Sequence, residues 1–515
     1  QTERLVHFRA GSIDVAVDRP ELWWPRGYGK ANLYEVKVQL LHQDTVLAER
    51  TETFGIRTVE LERTEVTSPE SPGQFLFRIN GMPIFCKGSN WVPADMFHSR
   101  DAQRIPQILD WFVDTNCNIV RVWGGGVYED RPFFERCDRE GLMVWQDFAF
   151  GCALYPQSDE FLGKVEREAR AIVRKLRNHP SLVLWCGDNE NDYFSMSVRG
   201  QDPNGNRITR EVIPEVIRQC DPYRPYLPSS PYYSPEVWAK KNTELLPEDH
   251  LWGPRDYYKS RYYMESKAHF VSEIGYHGCP DADSIRRFID PEHVWPWPNN
   301  EQWALHSSDP IGLNGVWAKR IELMANQVAE MFGNIPDKLE DFVIASQISQ
   351  AEAKKFFVER ARLLKWRRTG IIWWNMADGW PQFSDAVVDY YGSKKLAYYY
   401  LKQVQQDVCI MIDEPSNWHV RVVVGNDTPR VHSGTFTVSD ADSGDVLLEG
   451  PFRTKPNTNT ELGRIRISHS DQKLFLIRWE IDGKTYGNHY LLGFPAFSLE
   501  KYKEWLPLIR SGFAP

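Results

Sequence analysis

From about residue 75 to residue 400, short apolar runs alternate with longer amphipathic stretches. Such apolar runs fit strands buried on both faces of a parallel sheet, and the amphipathic stretches fit helices that cover the sheet. Eight strand and helix repeats over this length predict an α/β fold with a (β/α)8 TIM barrel. The predicted strands are 85–91, 118–123, 141–147, 182–185, 225–228, 250–253, 269–274 and 370–375. The clearest predicted helices are 101–115, 131–140, 160–177, 315–332 and 347–366.

β-Rich segments flank this region. Residues 33–40 alternate apolar and polar side chains, and 46–54 form a looser second strand candidate. Two or three hairpin strands are not stable alone, so we predict that 1–70 is the last part of a β-sandwich. The barrel domain is then 71–404. Further strand-like runs separated by turn residues predict a second β-sandwich over 405–515, with a terminal helix at 498–508.

Charge and cysteine usage narrow the classes of partner. Lys and Arg number 61 against 70 Asp and Glu, a net charge of -9 that argues against nucleic acid and anionic membranes. No apolar run approaches the roughly 20 residues of a membrane-spanning helix. The eight cysteines have no metal-binding spacing, so we expect neither a disulfide framework nor a metal site. The compartment (cytoplasm, periplasm or cell exterior) stays open, as does assembly into a homo-oligomer.

Six of the eight predicted barrel strands end in polar or aromatic side chains. In a barrel these carboxyl ends meet at one mouth, where ligands bind. Six strands with this pattern predict a functional site rather than isolated polar groups that close the barrel. In strand order the side chains are Asn90 and Trp91 with nearby Asp95; Arg121 and Trp123; Gln146 and Asp147; Asp188, Asn189 and Glu190; Ser272 and Glu273; and Trp374 with nearby Asp378.

The predicted mouth combines carboxylates with tryptophans. The sequence has no phosphate-binding loop with a lysine, no nucleophile-elbow serine and no HExxH zinc helix. Glu190 and Glu273 stand at the ends of the fourth and seventh strands, able to face each other across the opening. Glycoside hydrolysis needs such a pair, one carboxyl to protonate the leaving oxygen and one to attack the anomeric carbon or activate water. We therefore predict a glycoside or oligosaccharide substrate and no cofactor or metal.

Six stretches, in order through the predicted barrel, match one known family. They are 85–95, 121–129, 141–148, 177–185 followed by Asn189 and Glu190, 270–275, and 370–375 followed by Trp380 and Pro381. Through them the chain resembles glycoside hydrolase family 2, and most closely its β-mannosidase branch. The match covers the whole barrel and is more specific for the family than for the sugar.

The resemblance implies a retaining exo-β-glycosidase that removes terminal β-linked sugars, with β-mannosides as the first candidate. Glu190 would be the acid/base, Glu273 the nucleophile, and Asn189 the partner of the sugar 2-hydroxyl. Glu190 then needs a raised pKa, and Glu273 must stay ionised. The further predicted substrate-binding residues are Trp123 and Trp374 in the sugar pocket, Arg121 beside Glu273, and Asn90, Trp91, Asp95 and Asp378.

Two features depart from the family pattern. Family members begin with a jelly-roll domain followed by an immunoglobulin-like sandwich; here the first is absent and 1–70 corresponds to the last strands of the second. Cys186 to Asp188 also stand where Gly-Asn-Asn or Ser-Gly-Asn is more usual, which leaves the hydrogen bonding around Asn189 open. The alternatives are an exo-β-glucosaminidase or β-galactosidase of the same family, and an inactive carbohydrate-binding fragment.

Overall fold

The computed structural model describes residues 13–308, 319–468 and 470–513, so residues 315–318 of one predicted helix lie outside the described part. Near the N-terminus, β1 (Tyr34–His42) and β2 (Thr45–Phe54) form an antiparallel hairpin. Its apolar side chains, among them Val38 and Leu47, are exposed. A three-stranded antiparallel sheet follows, made of β3 (Val59–Arg63), β4 (Phe75–Ile79) and β5 (Met82–Ile84). The predicted domain boundary at residue 70 lies in the loop between β3 and β4, which pair with each other. The position of that boundary therefore stays a prediction.

Eight parallel strands form the central sheet, each short and buried, as the apolar runs predict. The (β/α)8 barrel prediction is confirmed. The sixth strand begins at Glu248 and ends at His250, earlier than its predicted range of 250–253. The strands are β6 (Cys86–Trp91), β7 (Ile119–Val122), β8 (Met143–Asp147), β9 (Leu182–Cys186), β10 (Tyr226–Leu227), β11 (Glu248–His250), β12 (Phe270–Glu273) and β13 (Gly370–Trp373).

Neighbouring strands pair in chain order, and the last strand, β13, pairs with the first, β6. Among the described residues, strand pairing is interrupted between β10 and β11. A side-chain contact spans that seam, because Ser230 Oγ, just after β10, lies 2.7 Å from Glu248 Oε1 on β11. The seam lies beside the end of β9, where Asn189 forms an isolated bridge with Ser230.

Helices cover the outside of the barrel. α3 illustrates why they form: Ser158 caps its N-terminus by accepting from Phe161 N, and its apolar side chains lie on one face. The helices are α1 (Asp101–Asp114), α2 (Arg131–Glu140), α3 (Asp159–Leu176), α4 (Asn191–Tyr193), α5 (Ile213–Cys220), α6 (Pro235–Lys240), α7 (Arg261–Glu265), α8 (Ala282–Ile285), α9 (Glu301–Leu305), α10 (Lys319–Phe332), α11 (Leu339–Leu363) and α12 (Leu396–Val404). Single 3-10 turns occur at His98–Arg100, Pro203–Gly205, Thr243–Leu245 and Pro291–His293, and π-helical turns at Phe194–Val198 and Ile208–Val212.

The three-stranded sheet closes the N-terminal end of the barrel. Phe75 on β4 stacks against Trp145 inside the barrel at 6.0 Å between ring centroids and lies 5.2 Å from Phe270 at the start of β12. All three rings are fully or almost fully buried. Buried aromatic clusters of this size contribute several kcal/mol of hydrophobic stabilisation, on the order of 1.5–3 per side chain. One end of the barrel is therefore packed, and the carboxyl end remains open to solvent.

The C-terminal part is the predicted β-sandwich, with a three-stranded and a four-stranded antiparallel sheet around one apolar core. α13 (Leu499–Arg510) confirms the predicted terminal helix. Buried polar contacts join this part to the barrel: Glu352 on α11 lies 2.7 Å from His489 Nε2. The strands are β14 (Val408–Ile412), β15 (His419–Asn426), β16 (Ser433–Asp440), β17 (Val446–Arg453), β18 (Asn459–Arg466), β19 (Lys473–Ile481) and β20 (Lys484–Leu492).

All eight cysteines are free thiols, seven of them buried, which confirms that no disulfide framework holds the fold. Within the described ranges, no helix combines the length and apolar character needed to cross a lipid bilayer.

Candidate active site

A cavity of about 750 Å³ opens at the carboxyl ends of the barrel strands. The structure brings five of the sequence-predicted residues together on its wall, from four different strand ends. A cleft of this size, at this end of a barrel, fits a small ligand such as a sugar ring. The five residues are Trp123, Asn189, Glu190, Glu273 and Trp374.

The two glutamates reach the cavity from two strands that are not neighbours, β9 and β12. Glu273 is the last residue of β12. Glu190 follows β9 in a left-handed conformation, with φ 60°, and its backbone N–H donates to Ser230 O at 2.8 Å. A non-glycine residue in this conformation is uncommon and often marks a functional position. One carboxylate oxygen of each glutamate lies within 4.8 Å of the other.

Arg121 lies fully buried beneath the cavity and joins its polar side chains. Nη1 donates to Glu273 Oε1 at 2.6 Å and to Asn90 Oδ1 at 3.1 Å. Nη2 donates to Asp147 Oδ2 and to Asn189 Oδ1, both at 2.7 Å. Both terminal nitrogens of the fork are thus fully used, which fixes Glu273 and Asn189 relative to each other. The side-chain nitrogen of Asn189 remains directed away from Arg121 and lies 3.3 Å from Cys152 Sγ.

Two side chains that follow the sixth strand complete the contacts of the glutamates. His250 Nδ1 lies 2.7 Å from Glu190 Oε1 and 3.5 Å from Glu273 Oε2. Trp252 Nε1 donates to Glu273 Oε2 at 2.9 Å. Both oxygens of Glu273 therefore accept a hydrogen bond from a fixed donor. Glu190 has a looser environment, with the Cys152 thiol 3.5 Å from its Oε2.

Burial raises the pKa of both glutamates above the ordinary value. For Glu273 the raising effect of burial is opposed by His250 and Arg121, and the Glu190 charge adds to it. For Glu190 the contributions that lower the pKa come from the Cys152 thiol and from the more distant Arg121 and Arg255. The carboxyl that directly contacts the Arg121 guanidinium is Glu273, so it is the better placed of the two to remain ionised.

Tryptophan rings form one wall of the cavity. Trp374 meets Trp123 edge to face, with ring centroids 5.2 Å apart, and Trp252 at 5.9 Å. Arg255, which also lines the cavity, lies over the Trp252 ring, 4.3 Å from its centroid. Flat apolar faces held in this way suit the C–H faces of a sugar ring.

Besides Arg121, four residues predicted to bind substrate do not line the cavity. Asn90 is buried below it and donates to Ser272 O at 3.0 Å. Trp91 is buried against Phe133, and its Nε1 donates to Glu129. The remaining two carboxylates are buried in hydrogen bonds of their own: Asp95 accepts from Phe97 N and Tyr390 Oη, and Asp378 accepts from Gln382 and Ser384.

The sequence analysis missed His250, Trp252 and Cys152, which all line the cavity. The sixth strand was predicted at 250–253, so His250 and Trp252 seemed to be strand residues. The strand in fact ends at His250, which places both at its carboxyl end. A strand end three residues earlier, at 250 instead of 253, would have revealed a histidine and a tryptophan in the same position as the other strand-end residues.

Glu190, His250 and Glu273 each offer one atom to a common point, a spacing that a metal ion can also use. The Arg121 guanidinium, 2.6 Å from Glu273, makes that point unfavourable for a second cation. A second group, Asp290, Glu292 and His293, is exposed on the surface and lies apart from the cavity lining. The prediction that the protein uses no metal stays a prediction.

The sequence is similar to known proteins over most of its length. The sequence model of the family described as glycosyl hydrolases family 2 matches residues 1–57. The β-mannosidase B of Aspergillus niger is 32% identical over 435 residues, which are 79% of this chain and 49% of that protein. The β-mannosidase of Capra hircus is 32% identical over 427 residues, 77% of this chain and 47% of that protein. The chain thus spans about half the length of the curated relatives it matches.

A solved structure has the same arrangement. The crystal structure of the β-D-mannosidase from Dictyoglomus thermophilum has a TM-score of 0.82 and 32% sequence identity, and the match covers 94% of this chain and 59% of that chain. Because 94% of the chain is covered, the match extends over most of the barrel and of the C-terminal β-sandwich. With the barrel, the glutamate pair and these relatives together, the chain belongs to glycoside hydrolase family 2.

Proposed function

We propose that this chain carries the catalytic centre of a retaining exo-β-glycosidase that acts on terminal β-mannosides. The observation that carries the proposal is the glutamate pair at the barrel mouth, in which one carboxylate oxygen of Glu190 lies within 4.8 Å of one carboxylate oxygen of Glu273. Retaining glycosidases hold their carboxyls about 5–5.5 Å apart, whereas inverting enzymes leave about 6.5–9.5 Å for a water molecule. The spacing therefore supports a covalent intermediate.

In the first step, Glu273 attacks the anomeric carbon while Glu190 protonates the leaving glycosidic oxygen. Glu273 suits attack because Arg121 and Trp252 hold its oxygens in one orientation. Glu190 suits proton donation because burial raises its pKa. The new bond joins Glu273 to the sugar, and the bond to the leaving group breaks as the proton of Glu190 moves to that oxygen.

In the second step, Glu190 acts as a base and removes a proton from water, which attacks the anomeric carbon and releases Glu273. The sugar leaves with its original β configuration. Asn189, fixed by Arg121, is placed to donate to the 2-hydroxyl next to the reacting carbon. A hydrogen bond at that position strengthens in the transition state.

The choice of mannose rests on the relatives that are named β-mannosidases. Assays of the full-length protein with 4-nitrophenyl β-mannoside, β-galactoside and β-glucosaminide test it directly. We expect the highest kcat/KM on the mannoside. A higher kcat/KM on the galactoside or the glucosaminide would identify that sugar, instead of mannose, as the substrate. If none of the three compounds were turned over, the proposed activity would be contradicted.

Azide rescue of glutamate variants tests which carboxyl is the nucleophile and which is the acid/base. Glu273→Gly with azide should yield the α-mannosyl azide, because azide then enters from the face that the nucleophile occupied. Glu190→Ala with azide and an activated aryl mannoside should yield the β azide. Full activity of Glu273→Gly without azide would exclude Glu273 as the nucleophile.

A further inference from the structure

Below Glu190 a line of buried polar side chains crosses the seam of the barrel. His250 Nδ1 contacts Glu190, and His250 Nε2 lies 3.0 Å from Ser230 Oγ. Ser230 Oγ lies 2.7 Å from Oε1 of Glu248, the first residue of β11. Glu248 lies beyond the two catalytic glutamates and outside the cavity lining. Its role is open, because the double-displacement steps do not need a third carboxyl.

The surroundings of His250 set the position of its proton. Burial lowers the pKa of His250 to about 3, so the ring is neutral and carries one N–H. Carboxylate oxygens of Glu190 and Glu273 lie 2.7 and 3.5 Å from Nδ1, whereas the Ser230 hydroxyl lies 3.0 Å from Nε2 and Oε1 of Glu248 is more distant, at 3.9 Å. The N–H is therefore favoured at Nδ1, where it donates to Glu190 Oε1, and Nε2 is left as an acceptor.

An unprotonated Nε2 determines the direction of the hydrogen bonds in the rest of the line. Ser230 has a single hydroxyl hydrogen, and it is then directed to Nε2 of His250. Its oxygen can then accept a hydrogen bond from Glu248, at 2.7 Å, when Glu248 is a neutral acid with its proton on Oε1, the oxygen that the Ser272 hydroxyl also contacts. The buried setting agrees, since burial raises the pKa of Glu248 to about 7, against the lowering effect of the Ser272 and Ser230 hydroxyls.

We propose that Glu248 is a positioning residue, a neutral carboxylic acid that orients the acid/base Glu190 through Ser230 and His250. The chain of donors engages Oε1 of Glu190, which leaves Oε2 to carry the proton that is given to the glycosidic oxygen. Oε2 has only a weak thiol donor, Cys152, at 3.5 Å, so a substrate oxygen can take that place. This inference rests on the proposed function.

Ionisation of Glu248, at the buried end of the line, changes the hydrogen bonds along it. When Glu248 ionises, Ser230 turns its hydrogen to the carboxylate, and the proton of His250 moves to Nε2. Nδ1 then draws the proton of Glu190 to Oε1, away from the substrate. The charged groups that face His250 are Glu190, Glu273 and Arg121, and Arg121 and Asp147 also act on Glu248. Activity should therefore fall as pH rises through the pKa of Glu248.

Glu248→Gln tests this on the full-length protein, since an amide N–H₂ replaces the acid O–H as a donor that does not titrate. We expect the upper limb of the kcat/KM profile against pH to move to higher pH by about one unit or more. Glu129→Gln is the matched control, because burial raises the pKa of Glu129 to about 7 as well, and Glu129 contacts Trp91 instead of the line. If Glu248→Gln and Glu129→Gln give the same upper limb, the inference is wrong.

Ser230→Ala interrupts the line at its centre and covers the case in which the Glu248 variant does not fold. Its kcat/KM should fall about tenfold or more on a methyl or 4-nitrophenyl β-mannoside, and less on the 2,4-dinitrophenyl glycoside, whose leaving group needs no proton. Ser230→Thr, which keeps the hydroxyl, should return kcat/KM on both substrates close to the wild-type values. Equal losses on both substrates would indicate a structural role only. If the wild-type protein cleaves neither substrate, the proposed function fails, independently of the inference.

Discussion

The Arg121 guanidinium holds the Glu273 carboxylate at 2.6 Å and the Asn189 amide at 2.7 Å with different nitrogens. One buried cation thus sets the distance between the proposed nucleophile and the group that meets the sugar 2-hydroxyl. Asp147 Oδ2 accepts from the same nitrogen as Asn189, also at 2.7 Å, and this contact fixes the position of the guanidinium. Loss of one partner of a buried ion pair strongly destabilises the protein, because the other charge is left buried without compensation.

Arg121→Lys should therefore lower kcat/KM by about a hundredfold or more, because an ammonium cannot replace a fork that serves several acceptors. Arg121 lowers the pKa of Glu273 against the effect of burial. Its weakening should raise that pKa, so the lower limb of the pH profile should move to higher pH. Arg104→Lys, close to Asp95 and away from the cavity lining, is the control. An unmoved lower limb in Arg121→Lys would contradict the role given to this contact.

Trp252→Phe removes the N–H donor to Glu273 Oε2 but keeps an aromatic ring in the wall. A hydrogen bond to a charged group is worth about 1.5–3 kcal/mol, so kcat should fall roughly tenfold to a hundredfold. Trp91→Phe removes a similar bond to Glu129 outside the cavity. It should lower the melting temperature and leave kcat close to that of the wild type. A large loss of kcat in Trp91→Phe would restore the sequence-based prediction that Trp91 contacts substrate.

Gly88 on β6 allows close approach of the neighbouring strand. A Cβ at this position would press against Ile119 O, well inside van der Waals contact. Gly88→Ala should destabilise the barrel by several kcal/mol, on the order of 3, because backbone atoms must shift. Gly163→Ala is the opposite case: it lies inside α3 with its nearest neighbour 3.7 Å away, so it should stabilise by about 0.5–1 kcal/mol. Denaturant unfolding of both variants measures the difference.

Glu352 connects barrel helix α11 to the C-terminal sandwich. Burial would raise its pKa, but His489, Lys355 and Tyr502 together lower it to about 2. A carboxyl with a depressed pKa stabilises the fold above its unfolded value, and that contribution is lost as pH falls from about 4.5 to 2. The loss amounts to roughly 3 kcal/mol. Glu352→Gln should lower the melting temperature at pH 7 and make unfolding less dependent on pH in this window.

If thermal unfolding of Glu352→Gln kept the wild-type dependence between pH 4.5 and 2, other carboxyls would account for acid unfolding. Asp427 serves as a comparison, since Arg362, Lys365 and Lys87 overcome its burial and hold its pKa well below the usual range. Because that pKa lies lower, loss of the Asp427 contribution extends to a lower pH than that of Glu352.

The barrel could be predicted because each of its strands is buried on both faces. A strand such as β9, Leu182–Cys186, must be continuously apolar, and that pattern is visible without any structure. Glu190 and Glu273 follow from the same logic, since each stands at the carboxyl end of such a strand. The sixth strand, β11, was placed least well, because a strand of three residues leaves hardly any periodic pattern.

The strand ends alone could not show which polar side chains reach the cavity. Asn90 and Glu273 both come from strand ends, yet Asn90 points to the barrel interior and Glu273 to the opening. Strand tilt and the stagger between neighbouring strands set this direction, and both arise only when the sheet closes. The same closure brings Ser230 to Glu248 across the seam.

Local sequence patterns thus determined the barrel, its order of strands and the two glutamates, because burial and strand ends depend on residues close together in the chain. Tertiary packing determined the environment of those glutamates. Arg121 meets Glu273 across 152 positions in the chain, and His250 meets Glu190 across 60. Contacts between residues this far apart have no local pattern, and it is these contacts that set the pKa and the orientation of each carboxyl.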